Sequence, residues 1–176
     1  FNNVKYITAP IDEGHLKGVD MLYLASGWAA YGGEYYLSIE SSSNVVHKYI
    51  ESGGGLFVEQ PNPYKNGENQ KVTPNILPYK ITFNFRNSPF ELAGVNSKHE
   101  ITKNIGSYIL PYPSDDMEYI DSRYEVLVKG KSLKTSPLLA ANYGRGKILV
   151  CTHNPSRNGL NRTSDEMIIR MVNWFK

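Results

Sequence analysis

A chain of 176 residues, 40% hydrophobic and 20% charged, is long enough to bury a core and fits a single globular domain spanning residues 1–176. No apolar run approaches the roughly 18–20 residues of a spanning helix, so direct membrane insertion is not expected. The formal net charge of +2, with Lys and Arg scattered, gives nucleic-acid binding no electrostatic support, and the one cysteine, Cys151, excludes an internal disulfide framework without deciding the compartment.

In chain order, residues 4–9 read as a short strand stopped by Pro10. Residues 20–25 form a nearly continuous apolar run, the pattern of a strand buried on both faces, and end in the turn Ser26-Gly27-Trp28. A serine-rich approach leads into a helix whose apolar face is Val45, Val46, Tyr49 and Ile50. Gly53-Gly54-Gly55 stops it, and residues 56–59 form the next strand, completing a βαβ unit. In the middle, Thr73-Pro74 predicts a short helix through Leu77, 81–85 alternate as a half-exposed strand, 87–98 read as loop, and 99–105 as one helical turn. Proline and aspartate make 111–116 loop-like, and the Asp115-Asp116-Met117-Glu118 cluster reads as an exposed loop in preference to a cation site. Strands follow at 124–128, 137–141 and 147–152, the last two joined as an antiparallel hairpin by Gly144-Arg145-Gly146. Thr163 and Glu166 have capping-box spacing before a helix burying Met167, Ile168, Met171, Val172 and Phe175.

Four of these segments, taken together, resemble the class I glutamine amidotransferase-like superfamily with its ThuA-like branches. They are the strand and glycine turn at 19–27, the helix, glycine and strand unit at 46–58, the His99-Glu100-Ile101-Thr102 segment, and the glycine hairpin, strand and His-Asn-Pro ending at 144–155. The resemblance implies a flavodoxin-like three-layer α/β sandwich with a mostly parallel sheet and an antiparallel C-terminal hairpin. It also implies a catalytic cysteine at the turn after residue 58, a histidine base late in the chain, and a glutamate two residues beyond it. Here the turn reads Glu59-Gln60-Pro61-Asn62-Pro63, without Cys or Ser. His153 stands where the base is implied, and Pro155 stands where the glutamate would orient it.

The expected role is therefore a non-catalytic module, excised from a longer bacterial protein because the sequence opens on Phe1. It would bind a carbohydrate or another domain of the same protein at the carboxyl ends of its strands. The candidate ligand-binding residues are Trp28, Tyr31, Glu59, Gln60, His153 and Asn154, with the aromatics of 28–36 either stacking on a ligand or packing their loop down. The competing expectation is a hydrolase of a carbohydrate-related substrate, with Glu59 and His153 as its acid/base pair. A Cys151–His153 dyad is disfavoured, since residues two apart on a strand lie about 6.5 Å from each other. Histidines 15, 47 and 99 lack second ligands at metal spacing, so neither metal nor cofactor is expected, and His47 reads as a helix-surface residue. The sequence leaves the oligomeric state open.

Overall fold

The computed structural model describes residues 4–28, 34–61, 64–65, 68–69, 71–84, 92–105, 115–130, 136–152 and 162–176. A one-turn helix α1 (Glu13–Leu16) precedes strand β1 (Met21–Leu24), and helices α2 (Glu34–Ser41) and α3 (Ser43–Glu51) lead to β2 (Gly55–Glu59). β1 and β2 pair in parallel, with Leu22 opposite Leu56 and Leu24 opposite Val58, so the βαβ unit forms where the apolar runs and the glycine stop predicted it. Every residue of β2 is buried. That is the condition under which a strand needs apolar side chains on both faces.

β2 receives its second neighbour from the far end of the chain. β11 (Gly146–Cys151) lies parallel to it, followed outward by β10 (Leu138–Tyr143), β9 (Glu125–Gly130) and β7 (Leu92–Val95). These outer pairings are antiparallel, so the sheet is mixed and not mostly parallel as the resemblance implied. The cause is connection length. A parallel pairing needs a crossover of a dozen or more residues, and only 131–137 and 144–145 separate β9, β10 and β11. The C-terminal hairpin is as expected, and its tip does more than turn. The Arg145 amide donates to the Glu51 carbonyl at 3.0 Å, and its guanidinium to Ser52 O at 3.0 Å, so the tip satisfies carbonyls at the C-terminus of α3. The approach is close enough that a Cβ on Gly146 would overlap the backbone of Ile50 and Gly54.

Alternation along the strands divides the core between the two faces. On one face Leu22, Leu24, Leu56, Val58, Ile148 and Val150 pack with Val46 and Ile50 of α3. On the other Phe57, Leu149 and Cys151 pack with Met167, Met171 and Trp174 of α4 (Arg162–Trp174). Helices thus cover both faces of a mixed six-stranded sheet, an α/β arrangement. The seam of α4 is Met167, Met171 and Trp174, with Ile168, Val172 and Phe175 only half-buried, and Thr163 lies inside the helix, not at its cap.

Several middle segments depart from expectation. Residues 4–8 form no ladder, and Tyr6 is 94% exposed, because β1 is the edge of the sheet and nothing pairs beyond it. Residues 73–78 make turns instead of a helix. The segment is too short to nucleate one, and the Glu40 carboxylate takes the amides of Asn75 and Ile76 at 2.7 and 3.1 Å. β7 occupies part of the expected loop. β6 (Ile81–Asn84) forms where the alternation of 81–85 predicted a strand, but its partners β5 (Lys71–Val72) and β8 (Asp116–Ile120) in a second sheet, and the short hairpin of β3 (Tyr64–Lys65) with β4 (Glu68–Asn69), were not expected. β8 corrects the acidic loop: its Met117 is fully buried, and so is Asp115 before it.

Candidate functional site

The carboxyl ends of β1 and β2 are laced together through polar side chains. Tyr23 lies opposite Phe57 in the register, its ring tilted by 39° against the Phe57 ring at 5.2 Å, on the face that α4 covers. Glu59 is one strand step further along that face. A phenol is long enough to span such a step of about 6.6 Å, and the Tyr23 hydroxyl donates to Glu59 Oε2. The Ser26 amide donates to the same oxygen at 3.1 Å. Beside it the Ser26 hydroxyl donates to Gln60 Oε1 at 3.2 Å, and the Gly27 amide to the Gln60 carbonyl at 2.8 Å. Glu59 is 1% exposed, and the donors that converge on it supply the partners a buried polar side chain needs. Glu59 and Gln60 therefore lie where the strand-end rule placed them, bound to the turn after β1.

Cys151 stands opposite Glu59 on β11 and is buried among Phe57, Leu149 and Met167, a small apolar residue of the core. The strand end beyond it has its own logic. The Thr152 amide donates to the Pro137 carbonyl at 3.0 Å. In an antiparallel close pair the partner would return a bond, but proline has no amide hydrogen. The Asp115 amide supplies it instead, at 3.0 Å to Thr152 O, and this ties the chain entering β8 to the main sheet. The buried hydroxyls of Thr152 and Ser136 have no hydrogen-bond partner among the described residues. His153, Asn154 and Tyr31 lie outside the described residues, so the expected Glu59–His153 pairing acquires no geometry.

The aromatic loop divides. Trp28 is 4% exposed and packs in the core on the α3 face, with its ring tilted against Tyr36 at 6.0 Å. Its indole N–H has no acceptor among the described residues. Burial and then the neighbouring Glu40 push the Tyr36 hydroxyl well above the ordinary tyrosine range. Trp28 thus follows the packing alternative, whereas Tyr35, at 59% exposed, presents its ring to solvent. His47 is half-buried against Tyr143, with its Nε2 enclosed and without a partner among the described residues, so it is not a plain surface residue.

Two cavities occur at the opposite edge, where the parallel strands begin. One of about 580 Å³ is lined by Val19, Asp20, Tyr49, Gly53, Phe175 and Lys176. The other, about 180 Å³, is lined by His99, Arg123, Glu125, Ala140, Ala141, Asn142 and Trp174. Sequence reasoning missed both, since these residues come from distant segments without a shared spacing. Among the described residues no three His, Cys, Asp or Glu side chains converge as a metal site, and no helix is long and apolar enough to cross a membrane.

No protein-family model and no curated protein matches the sequence. Solved structures do resemble the fold. A cytoplasmic protein of Salmonella typhimurium superposes with a TM-score of 0.60 at 13% identity, covering 96% of this chain and 76% of its own. A second cytoplasmic protein from Salmonella typhimurium LT2 gives 0.59 at 14% identity, covering 95% and 76%. A ThuA-like protein of Bacteroides uniformis gives 0.57 at 14% identity, covering 93% and 72%. At these identities the likeness is one of fold, and the chain has the ThuA-like fold.

Proposed function

We propose that this chain is a non-catalytic, amidotransferase-like module of a longer bacterial protein, binding a ligand or a partner domain at the carboxyl ends of its strands. Its layered architecture is read as flavodoxin-like. The carrying observation is Glu59. At the turn where the resembled enzymes keep a thiolate, this chain has a buried carboxylate engaged by the Tyr23 hydroxyl and the Ser26 amide. A group so held ties two strand ends together, and residues 59–63 contain no Cys or Ser to attack a carbonyl. The exposed Tyr35 ring on the flanking helix and the Gln60 amide supply contacts to a ligand or neighbouring domain. Incubation with glutamine, simple amides and esters is expected to give no turnover. Robust hydrolysis that disappears in His153→Ala overturns the proposal.

A second reading is a hydrolase of a carbohydrate-related substrate, with Glu59 and His153 as its acid/base pair. It requires that Glu59→Gln and His153→Ala each abolish hydrolysis of glycosides or sugar esters while leaving the fold unchanged by circular dichroism.

A further inference from the structure

The smaller cavity combines features that converge nowhere else among the described residues. Its floor is Ala140, which faces the Trp174 side of the sheet where β10 changes from Leu-Leu to Ala-Ala. Its wall is held in place. Trp174 is 8% exposed, contacts His99 at 5.5 Å and Phe175 at 5.3 Å, and carries Lys147 Nζ 5.1 Å from its ring centre, with the same ammonium donating to the Trp174 carbonyl. A wall set by four such contacts needs little ordering when a ligand arrives.

The polar rim alternates donors and acceptors. His99 Nδ1 accepts the Ile101 amide at 3.3 Å, which leaves Nε2 as the ring's donor. Arg123 uses Nε and Nη2 on Asp121, at 2.8 and 2.7 Å, and lies over the Tyr79 ring at 3.9 Å, which leaves Nη1 as a fixed donor. Glu125 Oε1 accepts from Asn96 at 2.6 Å, leaving Oε2 as acceptor. The Asn142 backbone carbonyl is fixed by the Tyr79 hydroxyl at 2.9 Å, and its side-chain amide offers both a donor and an acceptor. Charge narrows the ligand further. Asp121 pairs with Arg123, and the Glu125 carboxylate is offset by the Lys147 ammonium at Trp174, so the cleft carries no net charge and suits a neutral ligand.

We propose that the cleft between His99, Arg123, Glu125, Asn142 and Trp174 binds a neutral polyhydroxylated ring, one sugar unit in size. Each hydroxyl both donates and accepts, which an alternating rim satisfies, and the apolar ring face suits an indole wall beside Ala140. The site is at the sheet edge opposite Glu59 and stands whether or not the strand-end reading does.

The test is to titrate the isotopically labelled full chain with D-glucose, D-galactose, D-mannose and their methyl glycosides, following amide and indole N–H resonances. Saturable shifts at the Trp174 indole and the Asn142 amide are expected for at least one sugar. The affinity should be about millimolar, where ligand efficiency places a molecule of roughly a dozen heavy atoms. Asn142→Ala and Glu125→Gln should each weaken it about tenfold, and Tyr35→Ala at the other edge should leave it unchanged. Equal binding of methyl glycosides assigns the site to a sugar unit within a glycan, and binding of the free sugars alone assigns it to monosaccharides. Both outcomes support the site. Absence of shifts at these residues with every sugar, or saturation by inorganic phosphate instead, overturns it.

Discussion

The Tyr23 hydroxyl donates to the Glu59 carboxylate across two neighbouring parallel strands, and the Ser26 amide meets the same oxygen from the turn beyond. One acceptor thereby fixes both the end of β2 and the exit of β1. The relationship explains how an acidic residue occupies a strand whose other members are apolar or glycine.

Tyr23→Phe keeps the tilted ring contact with Phe57 but leaves the buried Glu59 side chain short of a donor. Urea unfolding should show a loss of about 2 kcal/mol, the range for a hydrogen bond to a charged group. Glu59→Gln keeps an acceptor and should cost about 1 kcal/mol. A double-mutant cycle should return a coupling of about 1 kcal/mol or more, and zero coupling would remove the pair from the account of the site.

Gly146→Ala places a methyl against the backbone of Ile50 and Gly54, neither of which can swing aside as a side chain would. A loss of about 3 kcal/mol is expected from overpacking of this kind. Arg145→Ala keeps the turn and removes only the guanidinium bond to Ser52 O, so it should cost about 1 kcal/mol or less. Thermal unfolding of both variants checks the ranking.

Asp121 accepts two bonds from the Arg123 guanidinium and one from its amide, and its carboxyl is lowered to about 2. A carboxyl with a depressed folded pKa adds stability that is present above about pH 4 and is lost as the pH falls toward 2. Carbon-detected titration should place its midpoint near 2. In Arg123→Gln the midpoint should return to about 3.9.

The alkaline limb runs the other way. Burial pushes the Tyr49 hydroxyl up to about 12, and burial also raises Tyr124 and Tyr36 above the ordinary tyrosine value. A group whose folded pKa is raised adds stability that is present below about pH 10 and is lost as the pH climbs through the folded value. Absorbance at the phenolate band should show Tyr49, Tyr124 and Tyr36 ionising only as the chain unfolds.

The elements legible in the sequence are those with local signals. β1, α3 and β2 announce themselves by an apolar run, a one-turn spacing and a glycine stop, and the last hairpin by its Gly-Arg-Gly tip. β8 was hidden because three of its five residues are acidic or tyrosine and only Met117 faces the core. β7 and β5 are short strands whose existence depends on partners far away in sequence. Of the strand-end candidates, Glu59 and Gln60 were chosen through the rule that ligands gather at carboxyl ends, and both do lie there. Trp28 looked equally accessible, and only three-dimensional packing turns its ring inward. The small cleft gave no signal at all, since His99, Arg123, Asn142 and Trp174 share no period.

The position of β11 between β2 and β10 bears on how the chain is made. During synthesis β2 emerges with β1 on one side and an open ladder of amides and carbonyls on the other, bearing Leu56, Phe57 and Val58. About ninety further residues must be translated before β11 can fill that gap. Until then the nascent chain carries an unpaired apolar strand, the feature that recruits chaperones or neighbouring copies. Ribosome-stalled chains ending before residue 146 should therefore aggregate on release, and those reaching the end of α4 should not.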